Sequence, residues 1–78
     1  MQDIWEEWGR RVRQARKLAG YTQVTFAFDL GISQQRVSQL ETGQLAPRDE
    51  LKIRIARVLK RRVSELFPLP DDGDEAAA

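Results

Sequence analysis

Residues 22–43 carry two short stretches of helical apolar spacing, and Gly31 separates them directly after Leu30. Neither stretch is long enough to persist as a helix in isolation. Val24-Thr25-Phe26 also has poor intrinsic helix propensity. Both must therefore be held by packing, which demands further helices around one shared core. In the first stretch Thr22 is the expected N-cap, and Val24, Ala27, Phe28 and Leu30 are expected to turn inward. Gly31 closes that helix and Ile32 is expected to plug the turn. In the second, Ser33 is the expected cap, Val37 and Leu40 point inward with Ile32, and Gly43 ends the helix.

The flanking sequence supplies those partners. Ile4, Trp8, Val12, Ala15, Leu18 and Ala19 keep a helical period over about four turns. Asp3, Glu6 and Glu7 at its start and Arg16 and Lys17 near its end suit the helix dipole, and Gly20 stops it. After a loop at 44–47, Pro47, Asp49 and Glu50 announce a fourth helix. Its stripe is Leu51, Ile55, Val58 and Leu59, widened by Ile53 and Ala56. Val63, Leu66 and Phe67 mark either a short fifth helix or a continuation of the fourth. Pro68 and Pro70 end regular structure. There is no internal repeat and no strand-like alternation. The expectation is an all-α domain over residues 1–70 with a disordered acidic tail at 71–78.

Composition removes several functions. Seventy-eight residues make one small domain with little room for a ligand cavity, and no small-molecule ligand is indicated. With neither cysteine nor histidine, disulfides, thiolate metal sites and the commonest general base are absent. No nucleophile–base set, metal-ligand cluster or glycine-rich phosphate loop is visible, so no catalytic, metal or cofactor site is expected and the chain reads as no enzyme. No apolar run reaches membrane-spanning length, and the acidic, aromatic N-terminus is unlike a signal peptide. A cytoplasmic protein is the default, nucleoid-associated when bound to DNA.

The net charge of +1 hides a polarity. Four of the 12 acidic residues, Asp71, Asp72, Asp74 and Glu75, sit in the tail; this leaves 8 against 13 basic residues over 1–70, a balance of +5. A basic body permits a polyanionic partner without requiring one.

The second short helix carries the chemistry. Gln34 and Gln35 fall in its first turn, and Gln39 lies one turn beyond Gln35 on the same face. A glutamine tip offers a donor and an acceptor together, matching adenine N6 and N7 in a DNA major groove. A lone glutamine here would be an ordinary solvated helix former. Three on one capped helix, beside Arg36 and Ser38, make a surface suited to base edges. Arg36 and Gln23 could fasten the flanking backbone, which positions without reading sequence.

These residues bring the chain to a known family. Residues 8–67 resemble the helix-turn-helix domain of phage repressors and Cro, which extends to bacterial regulators of the xenobiotic-response-element (XRE) type. The likeness rests on Trp8 through Arg16, Gly20-Tyr21-Thr22-Gln23, Ala27, Leu30-Gly31-Ile32-Ser33, Val37 through Gly43, Pro47 and Val63 through Phe67. It implies a compact five-helix bundle of the lambda-repressor-like type, with the third helix as recognition helix. By the resemblance, Gln34, Gln35, Gln39 and Ser38 are expected to read bases. Gln23, Thr22, Arg36, Thr42, Gln44 and Arg48 are expected to contact phosphates, with Gln23 also bracing the recognition helix. Arg16 and Glu41 match a structural ion pair tying the first helix to the end of the third. The chain departs from the family at Lys60-Arg61-Arg62, where many members have a glycine, a hydrophobe and a small cap.

The function so implied is a sequence-specific, double-stranded DNA-binding transcriptional regulator, a dimeric repressor or controller reading inverted-repeat operators. Leu59, Val63, Leu66, Phe67 and Leu69 are the candidate homodimer contacts, although most of them also suit the core. Trp5 is read as core cover, with a dimer contact as the other role. The alternative is an antitoxin or adapter-type helix-turn-helix protein whose main role is binding a partner protein.

Overall fold

The computed structural model describes residues 4–69. The acidic tail 71–78, Asp3 and Pro70 lie outside them. Five helices follow in order: α1 (Ile4–Leu18), α2 (Gln23–Leu30), α3 (Gln34–Glu41), α4 (Asp49–Leu59) and α5 (Val63–Leu66). All regular structure among the described residues is helical. The fourth and fifth helices are separate.

Helix α1 buries Trp8, Val12 and Ala15 along one line. Leu18 is set about 60° further round the helix than Ala15, away from Trp8 and Val12, and ends 70% exposed; Ala19 is exposed too, so the stripe is shorter than its apolar pattern implies. Gly9 sits between the inward residues for a different reason. A Cβ built there would stand 2.5 Å from the Glu41 carbonyl oxygen and 2.6 Å from that of Leu40. α1 thus lies directly on the backbone of α3, and only glycine admits that approach.

Helix α2 begins with a reciprocal cap. The Thr25 N–H donates to Thr22 Oγ1 and the Thr22 N–H donates to Thr25 Oγ1, both at 3.0 Å. Its inward residues are Phe26, Ala27 and Leu30, which corrects the expected set. Phe26 and Phe28 are two positions apart, roughly 200° around the helix, so only one of them can face the core. Phe26 lies four residues before Leu30 and takes the inward place. Phe28 is 84% exposed and Val24 57%. Gly31 adopts a left-handed conformation, and the Ile32 N–H returns to the Ala27 carbonyl at 3.1 Å, closing the helix and aiming the chain into the turn.

In α4 the buried residues are Ile55, Ala56 and Leu59, with Leu51 and Val58 half-buried against the core. Ile53 does not widen the stripe: two residues from Ile55, it faces out and is half-exposed. Pro47 is buried just ahead of the helix, and extended Arg48 is its N-cap. Lys60 then takes a left-handed φ of 57° and the Arg61 N–H donates to the Ala56 carbonyl at 2.9 Å. That closure stops α4 where the sequence lacks the usual glycine. The Arg62 N–H donates to Glu65 Oε1 at 2.8 Å and starts α5.

Phe67 and Trp8 meet edge-to-face at 5.6 Å, and Trp8 Nε1 donates to the Pro68 carbonyl at 2.8 Å. These contacts draw the end of the described chain back onto α1. Leu59, Leu66 and Phe67 are therefore core residues of their own subunit, not dimer contacts. Of the five candidates only Val63 and Leu69 remain exposed. Trp5 is 41% exposed and covers the core only in part.

Candidate nucleic-acid interface

The expected surface is built on α2, the glycine turn and α3. Ser33 Oγ accepts from the Arg36 N–H at 3.1 Å, which fixes the first turn of α3. Val37 and Leu40 anchor the helix inward, at 1% and 2% exposure. With those two fixed, helical geometry turns the polar residues outward. Gln34, Gln35 and Arg36 are exposed, and Ser38 and Gln39 are half-buried.

Behind this face runs a continuous polar chain. Arg16 Nε donates to Glu41 Oε2 at 2.6 Å and its Nη2 to Oε1 at 3.2 Å, a two-pronged pair whose side chains are 8% and 2% exposed. Arg16 Nη1 also donates to the Tyr21 carbonyl at 2.9 Å. Gln23 Nε2 donates to the same Glu41 Oε1 at 3.1 Å, and Gln34 Nε2 makes a longer 3.5 Å contact with Gln23 Oε1. A carboxylate only accepts, so Gln23 must offer it the amide nitrogen and turn its oxygen toward Gln34. Gln34 is then left with its own oxygen and its second amide hydrogen for an outside partner. No side-chain polar atom buried among the described residues lacks a hydrogen-bond partner.

The other expected contacts surround α3. Thr22 is exposed but its hydroxyl is engaged in the α2 cap. Thr42 Oγ1 donates back to the Ser38 carbonyl at 3.0 Å, so its proton faces its own helix. Gln44 is exposed, and its backbone N–H donates to the Gln39 carbonyl at 2.8 Å. Arg36 and Arg48 share one depression with Arg54 and Glu50, lined below by Ile32 and Leu51. Arg54 was not anticipated. Its Nη1 donates to the Leu30 carbonyl at 2.9 Å, tying α4 to the end of α2. A second depression is lined by Arg13, Arg16, Gln23, Glu41 and Thr42. Arg13 stands three residues before Arg16 and so shares that side of α1.

A charge elsewhere behaves as its partners dictate. The Glu7 carboxylate is held below its ordinary value by Arg11 and, secondarily, by Arg10, both bonded to it on the exposed side of α1. The Tyr21 hydroxyl donates to Asp29 Oδ2 at 2.7 Å, which raises its pKa. Among the described residues no group of acidic side chains is placed to hold a metal ion. No described helix is long and apolar enough to cross a membrane.

Capped short helices, a glycine turn and an outward polar face define a helix-turn-helix protein. A helix-turn-helix family model matches residues 12–66, and the chain belongs to that family, in its XRE-type branch of transcriptional regulators. It is 44% identical over 63 residues to the uncharacterised HTH-type transcriptional regulator YazB of Bacillus subtilis, covering 81% of this chain and 91% of that one. An uncharacterised HTH-type regulator of Methanothermobacter thermautotrophicus is 38% identical over 63 residues, covering 80% and 91%. Among solved structures, the restriction-modification controller protein C.AhdI of Aeromonas hydrophila superposes with a TM-score of 0.76 at 30% identity, over 81% of this chain and 96% of that one. The clp gene regulator ClgR of C. glutamicum shares the fold, with a TM-score of 0.81 at 24% identity and 85% of each chain covered.

Proposed function

We propose that this chain is a sequence-specific, double-stranded DNA-binding regulator that inserts α3 into the major groove. Gln34, Gln35, Gln39 and Ser38 read base edges, and Gln23, Thr22, Arg36, Thr42, Gln44 and Arg48 hold phosphates. The observation that carries this reading is the outward amide face of α3, braced from behind through Gln23 and Glu41. An α-helix with its side chains is about 10–12 Å across, which matches a major groove about 12 Å wide. One such helix reads only a few base pairs, so the working unit is a homodimer on an inverted-repeat operator.

Selection of bound duplexes from a random pool tests this directly. The expected product is an inverted repeat with half-sites about 34–36 Å apart. Gln34→Ala or Gln35→Ala should cost roughly 1–3 kcal/mol on the selected site and little on random duplex. Arg36→Ala should weaken both evenly. Equal losses on the two duplexes for the glutamine variants would refute base reading.

A second reading, an adapter or antitoxin-type protein, is favoured by one observation. Phe28 and Val24 sit one turn apart on the outer side of α2, both largely exposed. On that reading, Phe28→Ser abolishes capture of a partner protein while duplex binding is unchanged. If α3 alone carries the function, this variant is silent.

A further inference from the structure

One strongly charged surface belongs neither to the core nor to α2 and α3. A trough along the outer side of α1 is lined by Glu7, Arg10, Arg11, Arg13, Gln14 and Lys17, all from that one helix. Four cations stand there against one carboxylate, a balance of +3. Glu7 is bonded to Arg11 and Arg10, and Arg11 also donates to the Glu65 carbonyl at 3.1 Å. Arg13 and Lys17 are exposed and have no hydrogen bond or ion pair among the described residues. They lie one turn apart on the same side, where like charges repel unless an anion comes between them.

The sequence contains such an anion, and the fold delivers it to this helix. Asp71, Asp72, Asp74 and Glu75 form an acidic run with no base among them. Trp8 Nε1 holds the Pro68 carbonyl, Phe67 stands edge-on to the same ring, and Leu69 is largely exposed. The chain therefore leaves the described residues beside the first half of α1. The four carboxylates follow Leu69 by two to six residues, which gives the last of them a reach of about 20 Å in extended backbone. Passing half-way round a helix about 10–12 Å across takes roughly 16–19 Å, and Arg10 and Arg13 stand only about 3 and 8 Å beyond Trp8 along its axis. The run reaches the trough with little to spare. Other cations near its path are already offset. The Lys52 ammonium lies 4.2 Å from the Trp8 ring centre and 3.9 Å from Asp49, and Arg61 shares its depression with Glu65.

We propose that the acidic run at 71–75 docks back along this trough as an internal polyanion, pairing with Arg10, Arg13 and Lys17 and masking the basic side of α1 until an external polyanion displaces it. Exposed pairs are individually weak, so the contact is salt-sensitive and easily exchanged, as a mask must be. The contact stands on the geometry and charge of α1 alone; its role as a mask against a duplex rests on the DNA-binding reading above.

The test uses the full chain, which has no cysteine, so Ala76→Cys carries a nitroxide at one site only. Paramagnetic broadening of backbone amide signals should then centre on Arg10 to Lys17. It should fade between about 0.01 M and 1 M salt, as the screening length falls from about 30 Å to about 3 Å. Neutralising the run (Asp71→Asn, Asp72→Asn, Asp74→Asn, Glu75→Gln) should remove the pattern, and so should Arg13→Gln with Lys17→Gln. Lys60→Gln with Arg61→Gln should leave it in place. The same broadening in the neutralised run would mean that the tether alone brings the label near α1, and overturns the contact. Broadening centred on residues 60–62 overturns it too. The masking is read with a random-sequence duplex: three exposed pairs of ordinary strength amount to roughly a tenfold effect, so the neutralised run should bind about tenfold tighter at low salt. Unchanged affinity overturns the masking while the DNA-binding reading stands. A parent chain that binds no duplex removes that reading and the masking together, and the broadening still decides the contact.

Discussion

Arg16→Met should be the most damaging conservative change in this chain. It deletes two donors to Glu41 and one to the Tyr21 carbonyl, and leaves the carboxylate with a single neutral donor, Gln23 Nε2. That carboxylate is 2% exposed, so water cannot replace what is lost. Stranding one member of a buried pair costs roughly 3–5 kcal/mol. A domain of this size has about 4–12 kcal/mol of stability in total, so the variant gives up much of it. The expected fall in Tm is roughly 12–40 °C. Glu41→Leu should cost less, because the long arginine stem can swing its head toward solvent. The double variant should be far better than the sum of the singles, since no charge is then left behind. Urea unfolding followed by the fluorescence of buried Trp8 and half-exposed Trp5 gives all four corners of the cycle. Additive losses in the double variant, or a cost below about 1 kcal/mol for Arg16→Met, would contradict the reasoning, because an exposed pair contributes only about that much.

Three other outcomes follow from local geometry. Gly9→Ala would press a methyl against two α3 carbonyls, and the helices must part; a loss of roughly 1–3 kcal/mol in chemical denaturation is expected, and an unchanged midpoint would argue against the contact. Lys60→Gly should stabilise by about 1 kcal/mol, because a non-glycine residue at φ 57° carries a left-handed penalty of about 1–2 kcal/mol that glycine avoids in part. The Tyr21 hydroxyl has its pKa raised above the ordinary 10.0 by Asp29, so its contribution is present below about pH 10 and disappears as pH climbs through the folded value. Tyr21→Phe should flatten that alkaline fall in Tm, and an identical pH profile would show that the hydroxyl does not contribute.

What the sequence made legible was mostly what local chemistry decides alone. Ser33, Thr22, Gly20 and Gly31 each satisfy orphan backbone groups or permit a left-handed turn, and each stands where its residue type indicates. Apolar periodicity located α1 and α4 but misjudged their edges, since Leu18 and Ile53 are apolar yet face solvent. The choice between Phe26 and Phe28 was beyond an eight-residue helix in which five positions are apolar and the inward direction is set by neighbours. The end of α4 was illegible for a plainer reason. A lysine gives no signal that it will take a left-handed conformation, and only the downstream core residues Leu66 and Phe67 force it there.

The core and the proposed base-reading face are joined in this chain through one carboxylate. Glu41 Oε1 accepts from both Arg16 and Gln23, and Gln23 in turn meets Gln34 on the outer face. A substitution that keeps the fold but removes the acceptor therefore frees the Gln23 amide to rotate, and Gln34 loses the neighbour that orients it. The double variant Arg16→Met/Glu41→Leu separates the two roles, because it restores a neutral core without restoring the acceptor. On the proposed function, it should unfold near the parent midpoint yet discriminate its selected operator from random duplex less well. Phosphate binding by Arg36 and Arg48 should survive, so affinity for random duplex should hold. If operator preference is instead intact, Gln34 is oriented by the Ser33-capped turn alone, and the polar chain behind it serves the fold only.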